Sequence, residues 1–452
     1  MIKKVLIANR GEIAVRVIRA CKEMGIETVA VYSEADKEAL HVQMADEAYC
    51  VGPTLSKDSY LNYTNIMSVA TLTGTDAIHP GYGFLSENAE FAEMCEECNI
   101  TFIGPSSYAI QKMGTKDVAR ETMRDAGVPV VPDSAGIIKD EEDGMKVAEE
   151  IGYPVIIKAT AGGGGKGIRV ARNEEDLKKG IRMTQQEAET AFGNPGVYIE
   201  KFIEDFRHVE IQVLADNHGN AVHLGERDCT IQRRLQKLIE ETPSPAISEA
   251  MRAKMGDAAV KAALAVNYSG AGTVEFIYDK EDDSFYFMEM NTRIQVEHPV
   301  TEMVTGVDLI KEMLLIAENK ELSFKQEEIE FEGWSIECRI NAENPHKNFM
   351  PSAGKIDMYL PPGGLGVRVD SAAYPGYMIP PYYDSMVAKL ITYGRDRDEA
   401  IRRMKRALDE FVIEGVHTTI PFHQRMMDHE VFVGGDFNTK FLEKYTIMKD
   451  ES

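Results

Sequence analysis

The period of apolar and polar positions changes along this chain, and the changes mark its elements. Lys4 to Ala8 is a short apolar run, Glu12 to Met24 carries Ile13, Val17, Ile18 and Cys21 at helical spacing, and Thr28 to Tyr32 is strand-like again. Strand, helix, strand predict a βαβ unit. Asp76 to His79 predicts a further strand, which runs into the turn-rich segment Pro80 to Asn88. Loops at the carboxyl ends of such strands collect ligand contacts, although this one also reads as a plain connection. Ser106 to Ala126 has the pattern of one helix, with Lys116 on it as a surface lysine, and Glu141 to Ile151 of another.

Pro154 to Ala161 then closes a β-branched run on Lys158, Gly162 to Gly167 is glycine except for Lys166, and Ile168 to Ala171 is apolar again. That is a hairpin with a bare backbone tip, where several amides converge on one anion and Lys166 adds a movable charge. A dinucleotide fingerprint needs a helix after its last glycine, and a Walker loop needs Ser or Thr after its lysine; neither follows here. A flexible linker would not be flanked by tight apolar strands. Polyphosphate fits the tip, and residues from about 132 to 203 read as a small lid around it.

Arg207 to Ala215 alternates strictly, with His208, Glu210 and Gln212 on one face and Val209, Ile211 and Val213 on the other. The polar row either lines a cleft or faces water. Glu226 to Lys237 concentrates cations and reads as a solvated charge run. Gly272 to Tyr278 and Ser284 to Asn291 form a hairpin whose folding places Glu275 opposite Glu289, with Asn291 on the same face as Glu289. Hard oxygen donors without histidine or thiolate suit Mg²⁺, and two acids paired without a cation would repel. Arg293, Gln295 and Glu297 alternate beside them, a place for a small oxyanion and a general base. Trp334, Glu337, Arg339 and Asn341 lie on a further strand-like stretch, and Arg397 to Val412 predicts a final helix.

Composition changes this picture only at its edges. At 452 residues the chain needs two to four domains under a prior of about 100–200 residues each, and its net charge of −24 argues against a sequence-independent nucleic-acid binder. No apolar run approaches a signal peptide or a membrane span, so a cytoplasmic protein is expected. Cys95-Glu96-Glu97-Cys98 is an isolated C-x-x-C on a helical stretch, without the second pair that a zinc site needs, and its acidic neighbours would raise the thiol pKa.

Assembled, the Gly-rich hairpin, the strand lysine, the paired acids with Asn291 and the Arg-x-Gln-Val-Glu run resemble the ATP-grasp ligases. Within them the chain is similar to the biotin carboxylases. The likeness runs from Ile7-Ala8-Asn9-Arg10-Gly11-Glu12 through His79-Pro80-Gly81-Tyr82-Gly83 and Asn291 to His298, to Pro381-Tyr382-Tyr383-Asp384. It implies an α/β and α+β multidomain fold: a Rossmann-like domain over 1–113, an ATP-grasp domain over 114–330 with a mobile Gly-rich lid, and a C-terminal α+β domain over 331–452.

The resemblance also implies roles. Lys116, Lys158 and the tip Gly163, Gly164, Gly165, Lys166 and Gly167 would contact ATP phosphates. Glu200 and Lys201 would lie at the adenine, with His208 and Gln232 lining the nucleotide site. Glu275, Glu289 and Asn291 would hold two Mg²⁺ (or Mn²⁺) ions. Lys237, Arg293, Gln295 and Val296 would form the bicarbonate site, Glu297 the base, and Tyr82 and Arg339 the biotin contacts. Implied partners are a biotin carboxyl carrier protein, carboxyltransferase subunits and a second copy in a homodimer. With no Ala-Met-Lys-Met hairpin here, carrier and transferase are expected on separate chains. Leu235 stands where some members have histidine near the ribose, and Leu365 where some have an aromatic near the dimer contact. Two other readings are another ATP-grasp ligase of the carbamoyl-phosphate synthetase kind and an ATP-binding scaffold without turnover.

Overall fold

Residues 1–134, 136–159, 168–192 and 194–448 are described by a computed structural model. The tip residues Gly163, Gly164, Gly165, Lys166 and Gly167 lie outside the described residues.

The opening βαβ unit grows into a parallel sheet in the order Glu47–Gly52, Glu27–Ser33, Lys4–Ile7, Ala77–His79, Thr101–Phe102. Its central strand carries Val5, Leu6 and Ile7, all fully buried, because helices cover both faces of a parallel sheet. The helix Gly11–Glu23 buries Ile13, Val17, Ile18 and Cys21, the residues its spacing singles out.

The segment read as one helix from Ser106 to Ala126 is two, Ser107–Gly114 and Lys116–Asp125. Thr115 between them is extended, with φ −99° and ψ 107°. Glycine followed by a β-branched residue is a weak point in a helix, and the break makes Lys116 a first-turn residue. The glycine hairpin forms as read: Val155–Ala159 pairs antiparallel with Ile168–Ala171 on one side and Val197–Lys201 on the other. The helices Glu141–Ile151 and Glu174–Phe192 close over this sheet around Val155, Ile157, Leu177, Ile181 and Ile199. The lid therefore has a core of its own.

The rest is built on one antiparallel sheet of eight strands, ordered Ser284–Asn291, Gly270–Asp279, Arg207–Ala215, Ala221–Arg233, Gln236–Thr242, Trp334–Asn341, Met386–Gly394, Val367–Ser371. It runs without interruption across the boundary expected near residue 330, where Gln236–Thr242 pairs with Trp334–Asn341. The apolar face of Arg207–Ala215 packs with Met251, Met255 and Phe276, under the helix Glu249–Ala265. The helix Arg397–Glu410 is not the last element. A strand, Val412–Glu414, follows it and pairs with Met358–Leu360, and three short helices come after. That pairing joins segments some fifty residues apart, which no local pattern reports.

Candidate functional site

The polar face of Arg207–Ala215 lines a cleft. All nine of its residues are buried, and Glu210 sits where charges from four segments meet. Lys237 Nζ donates to Glu210 Oε2 at 2.6 Å, to Glu275 Oε1 at 2.8 Å and to Glu297 Oε1 at 2.8 Å. Arg227, fully buried, donates to Glu210 Oε1 at 2.6 Å, Gln212 Oε1 at 2.6 Å, Thr273 Oγ1 at 3.0 Å and Thr301 Oγ1 at 3.1 Å. This corrects the reading of Glu226 to Lys237 as a solvated run, since Glu226 to Ile231 are all buried and only the hairpin end is exposed. Burial is possible because each charge meets its opposite on a neighbouring strand.

Glu275 and Glu289 are opposite each other in register. Glu275 also accepts from Asn291 Nδ2 at 2.9 Å and Gln295 Nε2 at 3.1 Å. Burial opposes its ionisation, but Lys237 and His208 outweigh that and hold the carboxyl below its ordinary range. Glu289 is exposed at the cleft and has no hydrogen-bond or ion-pair partner among the described residues, and its pKa is raised by partial desolvation and by Glu275. A lone carboxylate facing a second one and an amide oxygen is a donor set that fits a hard divalent cation. Lys116, exposed, contributes a favourable field at Glu289.

Arg293 is fixed on three sides, by Glu87 Oε2 at 2.9 Å, Gln295 Oε1 at 2.9 Å and Asn291 Oδ1 at 3.0 Å. Glu297 is fully buried at the N-terminal boundary of the helix His298–Thr305; its second oxygen accepts from Arg339 Nη2 at 3.0 Å. Burial would raise its pKa, yet Lys237, Arg339 and Arg227 hold it well below the usual value. Val296 presents its carbonyl to Lys389 Nζ at 2.8 Å, and Lys389 also lies 3.1 Å from Glu12, the acceptor of the Tyr82 hydroxyl. Gly81 has φ 63°, and a Cβ there would come within 2.8 Å of Asn9 Nδ2, so the loop can hold Tyr82 only with glycine before it.

On the lid, Lys158 Nζ meets Glu200 Oε2 at 2.5 Å, and Arg120 Nη1 meets its other oxygen at 2.6 Å. The Lys201 ammonium turns to the carbonyls of Gly152 and Tyr153 at 3.2 and 3.3 Å and, among the described residues, joins none of the other site residues. The Gln232 amide nitrogen lies 2.9 Å from His208 Nδ1, and the other ring nitrogen, Nε2, lies 2.9 Å from Glu275 Oε2. Leu235, with φ 65°, is 91% exposed at the end of its hairpin.

Sequence reasoning missed Arg227, Lys389, Glu240, Glu87 and Arg120. A lysine inside Met386-Val387-Ala388-Lys389-Leu390-Ile391 was a legible sign, because a central strand buries a charge only against a partner. Cys95 and Cys98 behave as the bland reading has it: Cys95 is buried, which pushes its thiol up to about 12, and Cys98 is exposed.

A lid sheet and an antiparallel sheet that together carry lysines on one side and paired acids on the other define an ATP-grasp ligase. Family models agree: biotin carboxylase, N-terminal domain, matches residues 1–110; carbamoyl-phosphate synthase L chain, ATP binding domain, 115–325; and biotin carboxylase C-terminal domain, 337–444. The chain is 78% identical to biotin carboxylase 1 of Bacillus subtilis over 99% of its own length and 100% of that protein's. It is 55% identical to one of the pyruvate carboxylase subunits of Methanothermobacter thermautotrophicus, over 98% of this chain and 90% of the other. Among solved structures, the biotin carboxylase domain dimer of Hydrogenobacter thermophilus 2-oxoglutarate carboxylase, in complex with MgADP, ADP and bicarbonate, superposes with a TM-score of 0.86 at 54% identity, covering 98% of both chains. The chain belongs to the biotin carboxylase family.

Proposed function

We propose that the protein carboxylates biotin on a separate carrier protein, using ATP and bicarbonate, as the first half-reaction of acetyl-CoA carboxylase. The observation that carries this reading is the grip of Lys237 and Arg339 on the two oxygens of Glu297, 2.8 and 3.0 Å away, with Lys237 also held by Glu275. Base, cations and candidate metal ligands thus share one lysine.

Before bicarbonate arrives Glu297 is ionised but a weak base, since both cations stabilise its charge. Bicarbonate arriving between Lys237, Arg293 and Gln295 competes for those cations, and Glu297 becomes basic enough to take the bicarbonate proton. The resulting oxyanion attacks the γ-phosphorus, ADP leaves, and carboxyphosphate forms. Glu275, Glu289 and Asn291 would hold Mg²⁺, which neutralises phosphate charge when bound. Carboxyphosphate breaks to CO₂ and phosphate, the phosphate takes the ureido proton of biotin, and the biotin nitrogen attacks CO₂. Arg339 faces the enolate-like oxygen formed on the way, and Tyr82 lines the approach. Lys116, Lys158 and the glycine tip would order the phosphates, with Glu200, Lys201, His208 and Gln232 around the nucleoside, and lid closure would keep water from carboxyphosphate.

The six cysteines are all unpaired, which suits a reducing, cytoplasmic compartment, and no helix among the described residues is long and apolar enough to cross a membrane. A carrier, carboxyltransferase subunits and a second copy of the chain complete the assembly we propose. The likeness to a pyruvate carboxylase component favours a second reading in which the same half-reaction serves another acceptor, such as pyruvate or propionyl-CoA.

Arg339→Ala tests the assignment. Bicarbonate-dependent phosphate release should largely survive, and carboxybiotin should fall by about two orders of magnitude or more, as for a lost oxyanion contact. Equal loss of both activities would overturn the role of Arg339, and a wild-type enzyme whose phosphate release ignores bicarbonate would overturn the reaction.

A further inference from the structure

Beside Arg339 lie two more carboxyls with too few partners. Glu240 and Glu337 stand directly opposite each other where Gln236–Thr242 pairs with Trp334–Asn341, and both are fully buried. Glu240 Oε1 accepts from Arg339 Nε at 2.6 Å, while Glu240 Oε2 and both oxygens of Glu337 have no hydrogen-bond partner among the described residues. Arg339 is 17% exposed, and its three nitrogens are divided: Nε to Glu240, Nη2 to Glu297, and Nη1 to no acceptor among the described residues. Its backbone carbonyl is clamped as well, by Thr419 Oγ1 at 2.8 Å and His423 Nε2 at 2.7 Å.

Resting on the reading above, we propose that Glu240 is a positioning residue for Arg339. By occupying Nε it sets the guanidinium plane so that Nη1 is the donor offered to the biotin oxyanion, and the Glu240–Glu337 pair carries protons so that Arg339 keeps its charge for substrate. Two buried carboxyls this close do not both ionise, and were they to, three carboxylates would surround one guanidinium. The groups facing Glu240 are Arg339, Glu337 and Cys338 from one neighbouring strand, Cys229 from the other, Lys237 from its own strand, and Glu297 from the head of its helix. Lys389, in register with Arg339 on the next strand, acts on Glu337. Burial raises Glu240 to about 7 against the pull of Arg339, and burial also raises Glu337 well above the ordinary carboxylate range. Above that pH Glu240 is charged and neutralises Arg339 more fully.

The experiment measures carboxybiotin formed per ATP hydrolysed in bicarbonate, from about pH 6 to about pH 9, in wild type, Glu240→Gln and Glu240→Ala. In wild type the ratio should fall as pH rises through the neutral range. Glu240→Gln still accepts from Nε and cannot ionise, so its ratio should stay high and flat. Glu240→Ala should lower the ratio about ten- to hundredfold at every pH, as for a lost hydrogen bond to a charged group, with phosphate release largely kept. A wild-type ratio that ignores pH, a Glu240→Gln profile that falls like wild type, or a Glu240→Ala ratio equal to wild type would each overturn the proposal. If Glu240→Ala does not fold, the Glu240→Gln profile decides. Absence of carboxybiotin from the wild type would instead sink the reaction proposed above.

Discussion

The strands Lys4–Ile7 and Arg207–Ala215 are both central in their sheets and both buried, yet they are buried for opposite reasons. Val5, Leu6 and Ile7 pack between helices and contribute transfer free energy on both faces. In Arg207–Ala215 only the apolar face does so, and Glu210 and Gln212 on the other are buried because Arg227 and Lys237 pair with them. An apolar core tolerates loss of one member at the cost of a cavity. A charge network tolerates it badly, since each ion left behind keeps its desolvation penalty. The first strand therefore supports a scaffold, and the second holds the groups proposed to react in place before substrate arrives.

Four changes would break or sharpen this contrast. Arg227→Met should have the largest effect, lowering stability by about 3–5 kcal/mol because Glu210 loses one of its two cationic partners, and abolishing turnover in the protein that remains folded. Urea unfolding and phosphate release check both; near-wild-type values would mean the network is not cohesive. Leu6→Ala should cost about 2–5 kcal/mol by cavity formation while kcat per folded molecule is kept. A matching loss of kcat would mean that the two sheets are not separable in this way.

Acid should weaken both regions. His41, His79 and His423 are buried and held at about 4, 3 and 4, because burial disfavours the charged ring. Their folded pKa lies below the unfolded 6.5, so this stability is complete above pH 6.5 and is lost as pH falls toward 4. Glu297 and Asp228 are also depressed, and their contribution is lost only below the ordinary carboxylate range. Glu240 and Glu337 act with the opposite sign, since a raised carboxyl adds stability as pH falls, so the histidine part is read by difference: the urea midpoint of His41→Gln should fall less than that of wild type between pH 7 and about 5, and an identical change would contradict it. Cys98→Ser, at an exposed position, should change neither stability nor activity; a measurable loss of either would reopen the C-x-x-C pair as a functional group.

Where local pattern and tertiary structure agree, the element is a short-range one. The hairpin about Gly162 to Gly167, the Glu275–Glu289 register and the helix Glu141–Ile151 follow from residues within a few positions of each other. The continuous helix over Thr115 and the terminal helix at Val412 failed for different reasons: one broke at the local weak point Gly114-Thr115, and the other ended at a strand whose partner lies far back in the chain. Resemblance supplied most of the candidate site, but not the residues that hold it. Arg227 and Glu240 became intelligible only as partners of Glu210 and Arg339, and the partner that the buried strand lysine Lys389 calls for is Glu12.

By itself the sequence determined the periodicities, the glycine tip, the positions that bear acids and bases, and a net charge that steers toward local rather than global attraction for anions. Which of those charges are buried, which cation holds which carboxylate, and which guanidinium nitrogen is left for substrate were decided by the tertiary structure alone. The reason is physical: a charge has a low cost in water and a high one in the interior, and only the strands that arrive beside it, from positions remote in the chain, determine which environment it meets.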